Sequence, residues 1–223
     1  MMATTRLGAI HSVVFGGFAA SELASRINDC KPKLIITASM GIEPARLIHY
    51  TNIVDEALTL CKDMPDAHHL PKLILNRKEL DGDLYIDDLD ETYHDMKTLV
   101  EAETDIHPAV PVKSTDPFFI LYTSGTTGDP KGVVRDQGGS AVALNYGFKD
   151  SYGFKRGTKF FCAADLGWIV GHNVMLYSPL LRGAETIIYE GKPILPDAGQ
   201  VFRICEKYEI EHLFIAPTAI REI

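Results

Sequence analysis

Between Tyr122 and Gly132 the chain reads Y-T-S-G-T-T-G-D-P-K-G, with three glycines, three threonines, a serine and a lysine in eleven residues. The stretch follows the apolar run Phe118-Phe119-Ile120-Leu121. A buried strand that empties into a hydroxyl- and glycine-rich loop ending in lysine suits phosphate chemistry. Glycine lets backbone N–H groups turn toward an anion, hydroxyls add donors, and lysine adds a mobile positive charge. Thr123, Ser124, Thr126 and Thr127 supply the hydroxyls, and Gly125 and Gly128 the close backbone approach. Lys131 would counter charge building on a departing phosphate group. The loop is not a Walker A, because Pro130 precedes Lys131 and Gly132 follows it. A polar turn between two strands, with Lys131 solvated, is the alternative reading.

Trp168 is the single tryptophan and lies beside Ile169 and Val170. A wide indole next to two branched aliphatics could wall a small apolar slot, and slot volume selects the ligand that fits. A core tryptophan without a ligand is the other possibility. Gly16 and Gly17, after Phe15, suit close approach by an extended ligand arm, although a strand-to-helix turn also explains them. His172 is read as a structural hydrogen-bonding histidine rather than a base, and Asp165 as a helix cap. His68 and His69 adjoin without a second ligand pair at useful spacing, so no metal site is expected. Ser124 lacks the G-x-S-x-G context of a hydrolase nucleophile.

The elements that must position these residues alternate. Helical patterns are expected over Ser21–Asp29 (capped by Ser21), Asn52–Lys62 (capped by Asn52, with Ile53, Ala57 and Leu60 on one face), Asp87–Glu101, Ser140–Tyr146, Gly167–Leu181 and Asp197–Tyr208. Strands are expected at Lys33–Thr37, Lys72–Leu75, Phe118–Leu121, Thr158–Ala163, Ala184–Tyr189 and His212–Ile215. Such alternation predicts an α/β fold with mostly parallel sheets flanked by helices, in which ligands gather at the carboxyl ends of strands.

The 223 residues are 46% hydrophobic and 23% charged, enough apolar surface for a real core. A net charge of −8 argues against general nucleic-acid binding. The four cysteines are dispersed, so neither a disulfide framework nor a zinc site is expected, and a reducing compartment is. No run is apolar for the roughly 18 residues a bilayer span needs, and the amino terminus does not read as a secretory signal.

The loop, with Val133-Val134-Arg135 behind it, resembles the signature loop of the AMP-forming acyl-CoA synthetases and their adenylating relatives. Four further landmarks occur in the family's order: Arg6 to Phe18 (R-L-G-A-I-H-S-V-V-F-G-G-F), Asp165 to His172 (D-L-G-W-I-V-G-H), Tyr189 to Pro193 (Y-E-G-K-P) and Ala216 to Ile220 (A-P-T-A-I). The resemblance points to the acetyl- and propionyl-CoA synthetase branch, and within it to propionyl-CoA synthetase. It implies that ATP and a small carboxylate form an acyl-adenylate and pyrophosphate, after which coenzyme A takes the acyl group. Magnesium would accompany ATP. On this resemblance residues 123–128 and Lys131 hold the phosphates, Trp168, Ile169 and Val170 line the acyl pocket, and Phe15, Gly16, Gly17, Arg46 and Val170 border coenzyme A. Where acetyl-specific members carry two arginines three apart, this chain has Glu43 and Arg46.

The same resemblance implies that residues 1–223 are part of an adenylation domain. Its amino-terminal part, the later Y-G-x-T-E motif and the small carboxyl-terminal domain with the adenylation lysine would be missing. No catalytic residue is then expected here, and the compartment would be the cytoplasm or mitochondrial matrix. Two rivals stand beside the ligase reading: a non-catalytic remnant or nucleotide- or CoA-binding module, and an adenylating enzyme that passes its acyl group to a carrier protein.

Overall fold

The computed structural model describes residues 1–43, 46–80, 89–104, 106–123, 131–193 and 195–223. In chain order the elements are helices α1 (Met2–Arg6) and α2 (Ala20–Cys30), strands β1 (Ile35–Ala38), β2 (Met40–Glu43) and β3 (Arg46–His49), helix α3 (Tyr50–Thr59), strands β4 (Lys72–Leu75) and β5 (Tyr93–Asp95), and helix α4 (Met96–Ala102). Then come β6 (Pro117–Thr123), β7 (Lys131–Asp136), α5 (Gln137–Asp150), β8 (Lys159–Ala163), a π-helical stretch Gly171–Tyr177 and α6 (Ser178–Leu181). The chain closes with β9 (Glu185–Ile187), α7 (Gln200–Tyr208), β10 (His212–Ile215) and α8 (Pro217–Glu222). They form two compact units: Met1–Phe15, Ala109–Leu121 and Val133–Ile223 make the first, and Gly16–Pro108 with Tyr122–Gly132 the second.

The first unit is built on a parallel sheet of order β10-β8-β9. Its central strand β8 reads K-F-F-C-A, apolar at consecutive positions because both faces are covered. The two-residue period sends Phe160 and Cys162 toward Phe148, Phe154 and Met175, and Phe161 toward Val201 and Ile204 of α7. Phe154 and Phe160 meet edge to face at 5.0 Å. Burying each such ring is worth about 1.5–3 kcal/mol, which makes this the anchor of the unit. Phe118, Phe119 and Leu121 of β6 pack against Leu176 and Tyr177 of the π-helical stretch. β6 also pairs with β7 in a two-stranded sheet.

The second unit carries a parallel sheet of order β1-β4-β5, with Ile35 opposite Lys72. Helices α2 and α3 cover it through Ile27, Val54 and Leu58. Lys72 is 1% exposed, a position an ammonium tolerates only with partners. It donates to the His68 carbonyl at 3.1 Å and to the Thr92 hydroxyl, lies 3.6 Å from the Asp90 carboxylate, and stands over the Tyr93 ring.

The expected fold class therefore holds, while several local expectations do not. α2 begins after Ala19, and no side chain, Ser21 included, caps it. α3 begins at Tyr50, so Asn52 lies in its first turn, and its buried face is Thr51, Val54, Ala57 and Leu58. Leu60 is beyond the helix end and 42% exposed. Where Asp87–Glu101 reads as one helix, the described part holds β5 and the short α4, capped by Asp95 accepting from the Thr98 N–H at 3.2 Å.

Candidate functional site

Trp168 is 47% exposed and Ile169 39%, so this corner is not the core tryptophan of the alternative reading. The Trp168 ring stands 5.9 Å from that of Phe15, tilted by 38°. Gly167 makes the approach possible, because a Cβ there would sit 2.7 Å from the Phe15 Cα and 2.8 Å from its nitrogen. Asp165 fixes the turn: its carboxylate accepts from the Gly167 N–H at 2.6 Å, and its carbonyl from the Trp168 N–H. It closes the turn ahead of the helix, which begins only at Ile169, so Asp165 is a turn residue and not the helix cap expected of it. Val170 diverges from its two neighbours and packs on the cluster of Phe148, Phe160 and Met175. All of these residues belong to the first unit, whereas Gly16, Gly17 and Arg46 belong to the second.

Behind the Trp168 corner lies a buried polar chain that sequence reasoning touched only at His172. The helix following Gly167 widens into π geometry from Gly171 to Tyr177, a form often found at functional sites. His172 is fully buried and pairs through Nδ1 with the Trp168 carbonyl at 3.1 Å, which is the structural role expected of it. Its ring stacks on that of His11 with centroids 5.7 Å apart and planes 6° from parallel. His11 Nε2 in turn meets the Tyr177 hydroxyl at 2.9 Å. Burial pushes the His11 imidazole down to about 4, with His172 adding to the shift, and burial also lowers His172. Both rings are neutral at pH 7. Nothing in the sequence spacing of His11, His172 and Tyr177 marks them as neighbours.

In the second unit, Gly16 and Gly17 are exposed. A Cβ on Gly16 would come within 2.7 Å of the Tyr50 hydroxyl, and one on Gly41 within 2.5 Å of it, so the phenol of Tyr50 occupies the space both glycines leave. Tyr50 follows the β2–β3 hairpin, an element the sequence did not announce. Arg46 opens β3, exposed, opposite Glu43 in the antiparallel register. Thr123 ends β6 and Lys131 begins β7, both exposed. Ser124, Gly125, Thr126, Thr127 and Gly128 lie outside the described residues.

Tyr122, just before Thr123, donates to the Asp29 carboxylate of α2 at 2.5 Å. Burial, followed by that carboxylate, raises the phenol's pKa well above its ordinary value. Two cavities of about 260 and 280 Å³ lie in the first unit, one against Phe118 and Tyr177, the other against Arg135, Ser140 and Asn173, and neither is lined by Trp168. Among the described residues no group of three or more His, Cys, Asp or Glu side chains could hold a metal ion, and no helix is long and apolar enough to cross a membrane.

The family model described as AMP-binding enzyme matches residues 1–223. The chain is 50% identical over 228 residues to the acyl-CoA synthetase short-chain family member 3, mitochondrial, of Bos taurus, covering 100% of this chain and 32% of that protein. It is 43% identical over 225 residues to the propionate–CoA ligase of Salmonella typhimurium, covering 99% of this chain and 34% of that one. Among solved structures, the acetoacetyl-CoA synthetase from Streptomyces lividans superposes with a TM-score of 0.83 at 23% identity, over 99% of this chain and 32% of that chain, a likeness of fold. The chain thus spans about a third of the length of the curated relatives it matches.

Proposed function

This chain belongs to the AMP-binding enzyme family, and from that premise we propose that the protein carrying it activates a short-chain carboxylate with ATP, propionate first and acetate second. The carboxylate oxygen attacks the α-phosphorus of ATP, the bond to pyrophosphate breaks, and the coenzyme A sulfur then displaces AMP from the acyl-adenylate. Adenylation of an ionised carboxylate needs no base. Residues Thr123 to Gly128 and Lys131 are assigned to the polyphosphate, with the Lys131 ammonium opposing charge on the leaving pyrophosphate. Trp168 and Ile169 are assigned to the acyl slot, with Val170 supporting them from the core. Phe15, Gly16, Gly17 and Arg46 are assigned to coenzyme A.

The observation that carries the reading is the half-exposed indole held beside Phe15 by a glycine that leaves no room for a side chain. A flat apolar wall of that size suits a two- or three-carbon acid, where one methylene changes selectivity by about 1–3 kcal/mol. Magnesium would accompany ATP; among the described residues no group of three or more His, Cys, Asp or Glu side chains could hold it. The cytoplasm or mitochondrial matrix is the proposed compartment.

ATP–pyrophosphate exchange by the full-length protein, run with acetate, propionate, butyrate and hexanoate, tests the assignment. Exchange that is fastest with propionate supports it. Exchange with none of the acids, while the protein still binds ATP in a calorimeter, would favour the nucleotide-binding module instead.

A further inference from the structure

We propose that Arg26 is a positioning residue that ties the Gly16-Gly17 segment to the root of the glycine loop; the proposal rests on the ligase reading above. Glu22, Arg26 and Asp29 fall at intervals of four and three on α2 and so share one face of that helix. An arginine on such a face ordinarily reaches into water, yet Arg26 is 7% exposed. Its guanidinium carbon lies 4.6 Å from the centre of the Phe18 ring and 5.4 Å from that of Tyr122. One guanidinium Nη donates to the Glu22 carbonyl at 2.6 Å and to the Glu22 carboxylate at 2.9 Å, so the charge is paired as well as stacked.

The two rings it touches are placed tellingly in sequence. Phe18 comes directly after Gly16 and Gly17, and Tyr122 directly before Thr123. Tyr122 is held a second time by its hydroxyl, which donates to Asp29 one turn along the same helix. A single side chain on helix α2 therefore contacts the residue that leaves the Gly16-Gly17 segment and the residue that enters the glycine loop. The planar guanidinium matters, since it reaches two rings while its N–H groups pair with Glu22, a combination that the compact ammonium of lysine matches less well. If the segments move as one through Arg26, occupancy of one favours order in the other, and the effect is reciprocal.

Hydrogen exchange on the whole chain reads this directly, at Gly16–Phe18 and Tyr122–Thr123, with β4 of the same unit as control. Without ligand, Arg26→Met is expected to speed exchange about tenfold at both stretches, with Arg26→Lys giving a smaller rise at both and β4 unchanged in each. With ATP, the wild-type chain is expected to gain protection at both stretches. Arg26→Lys should keep the gain at Tyr122–Thr123 and lose it at Gly16–Phe18. If Arg26→Met does not fold, Arg26→Lys and Phe18→Leu make the same comparison. Faster exchange at one stretch only, or a rise of equal size in β4, overturns the proposal. The expected ligand-free pattern with no protection by ATP at either stretch supports the tie while removing the ligase reading. Protection by ATP with ligand-free rates unmoved by Arg26→Lys and Phe18→Leu does the reverse.

Discussion

Replacing Trp168 with leucine removes the flat indole beside Phe15 that the proposed reading assigns to the acyl slot. Selectivity of the full-length protein, measured as kcat/KM for propionate against hexanoate, is expected to move at least tenfold or so toward the longer acid, in line with the energy of a few methylenes. The stacked histidines make a second residue-level prediction. Burial holds His11 at about 4 in the folded chain, whereas the unfolded chain titrates it near 6.5. Between those values the unfolded state binds more protons, so stability is fully present above pH 6.5 and falls as the pH drops toward 4. Urea titrations from pH 7.5 to 4.5 should show a loss of at most about 3 kcal/mol from His11, with the lowered His172 acting in the same direction, and His11→Gln should flatten the slope. The lone indole of Trp168 was legible as a residue to single out, though the sequence left a core position equally open to it. Arg26 and His11 were not, since an arginine on a helix reads as solvated and a histidine's partners are set by tertiary packing.

At the scale of elements, the widened turn of Gly171–Tyr177 depends on its first residue. A Cβ on Gly171 would lie 2.0 Å from the Asp165 carbonyl oxygen and 2.5 Å from the Leu166 Cα, both backbone atoms with no freedom to swing away. Gly171→Ala is therefore expected to destabilise the chain by about 1–3 kcal/mol or more, measured by urea unfolding, and to weaken its near-ultraviolet circular dichroism. Thr186 of β9 donates to the Met175 carbonyl at 2.6 Å and so ties the widened turn to the sheet. Strands β4 and β10 were readable at their observed bounds, because the short apolar runs K-L-I-L and H-L-F-I lie next to turns. The β2–β3 hairpin was not, since Gly41 and Pro44 interrupt any alternation. α5 was read too short: most of its residues are exposed and only Phe148 is buried, so its sequence shows little of the periodicity that marks a helix. The π geometry has no sequence signature of its own.

For the whole molecule, a net charge of −8 favours dispersal, while several large apolar side chains face water. Val134 is 56% exposed on β7, every residue of which is exposed, and Val142 and Tyr146 of α5 are 72% and 68% exposed. An exposed strand beside apolar surface invites association. Val134→Lys is expected to lower the aggregated fraction in size-exclusion chromatography at high loading, without shifting the urea midpoint by more than about 0.5 kcal/mol equivalent. The half-exposed indole has one more consequence, an optical one. Since the chain has no other tryptophan, all of its emission excited at 295 nm (about the red edge of indole absorption) reports on the Phe15 corner. That light should start out red and open to iodide quenching and, on the proposed reading, turn bluer and more shielded when a carboxylate and ATP are added, so the chain would carry its own dye for titrating acids one carbon at a time.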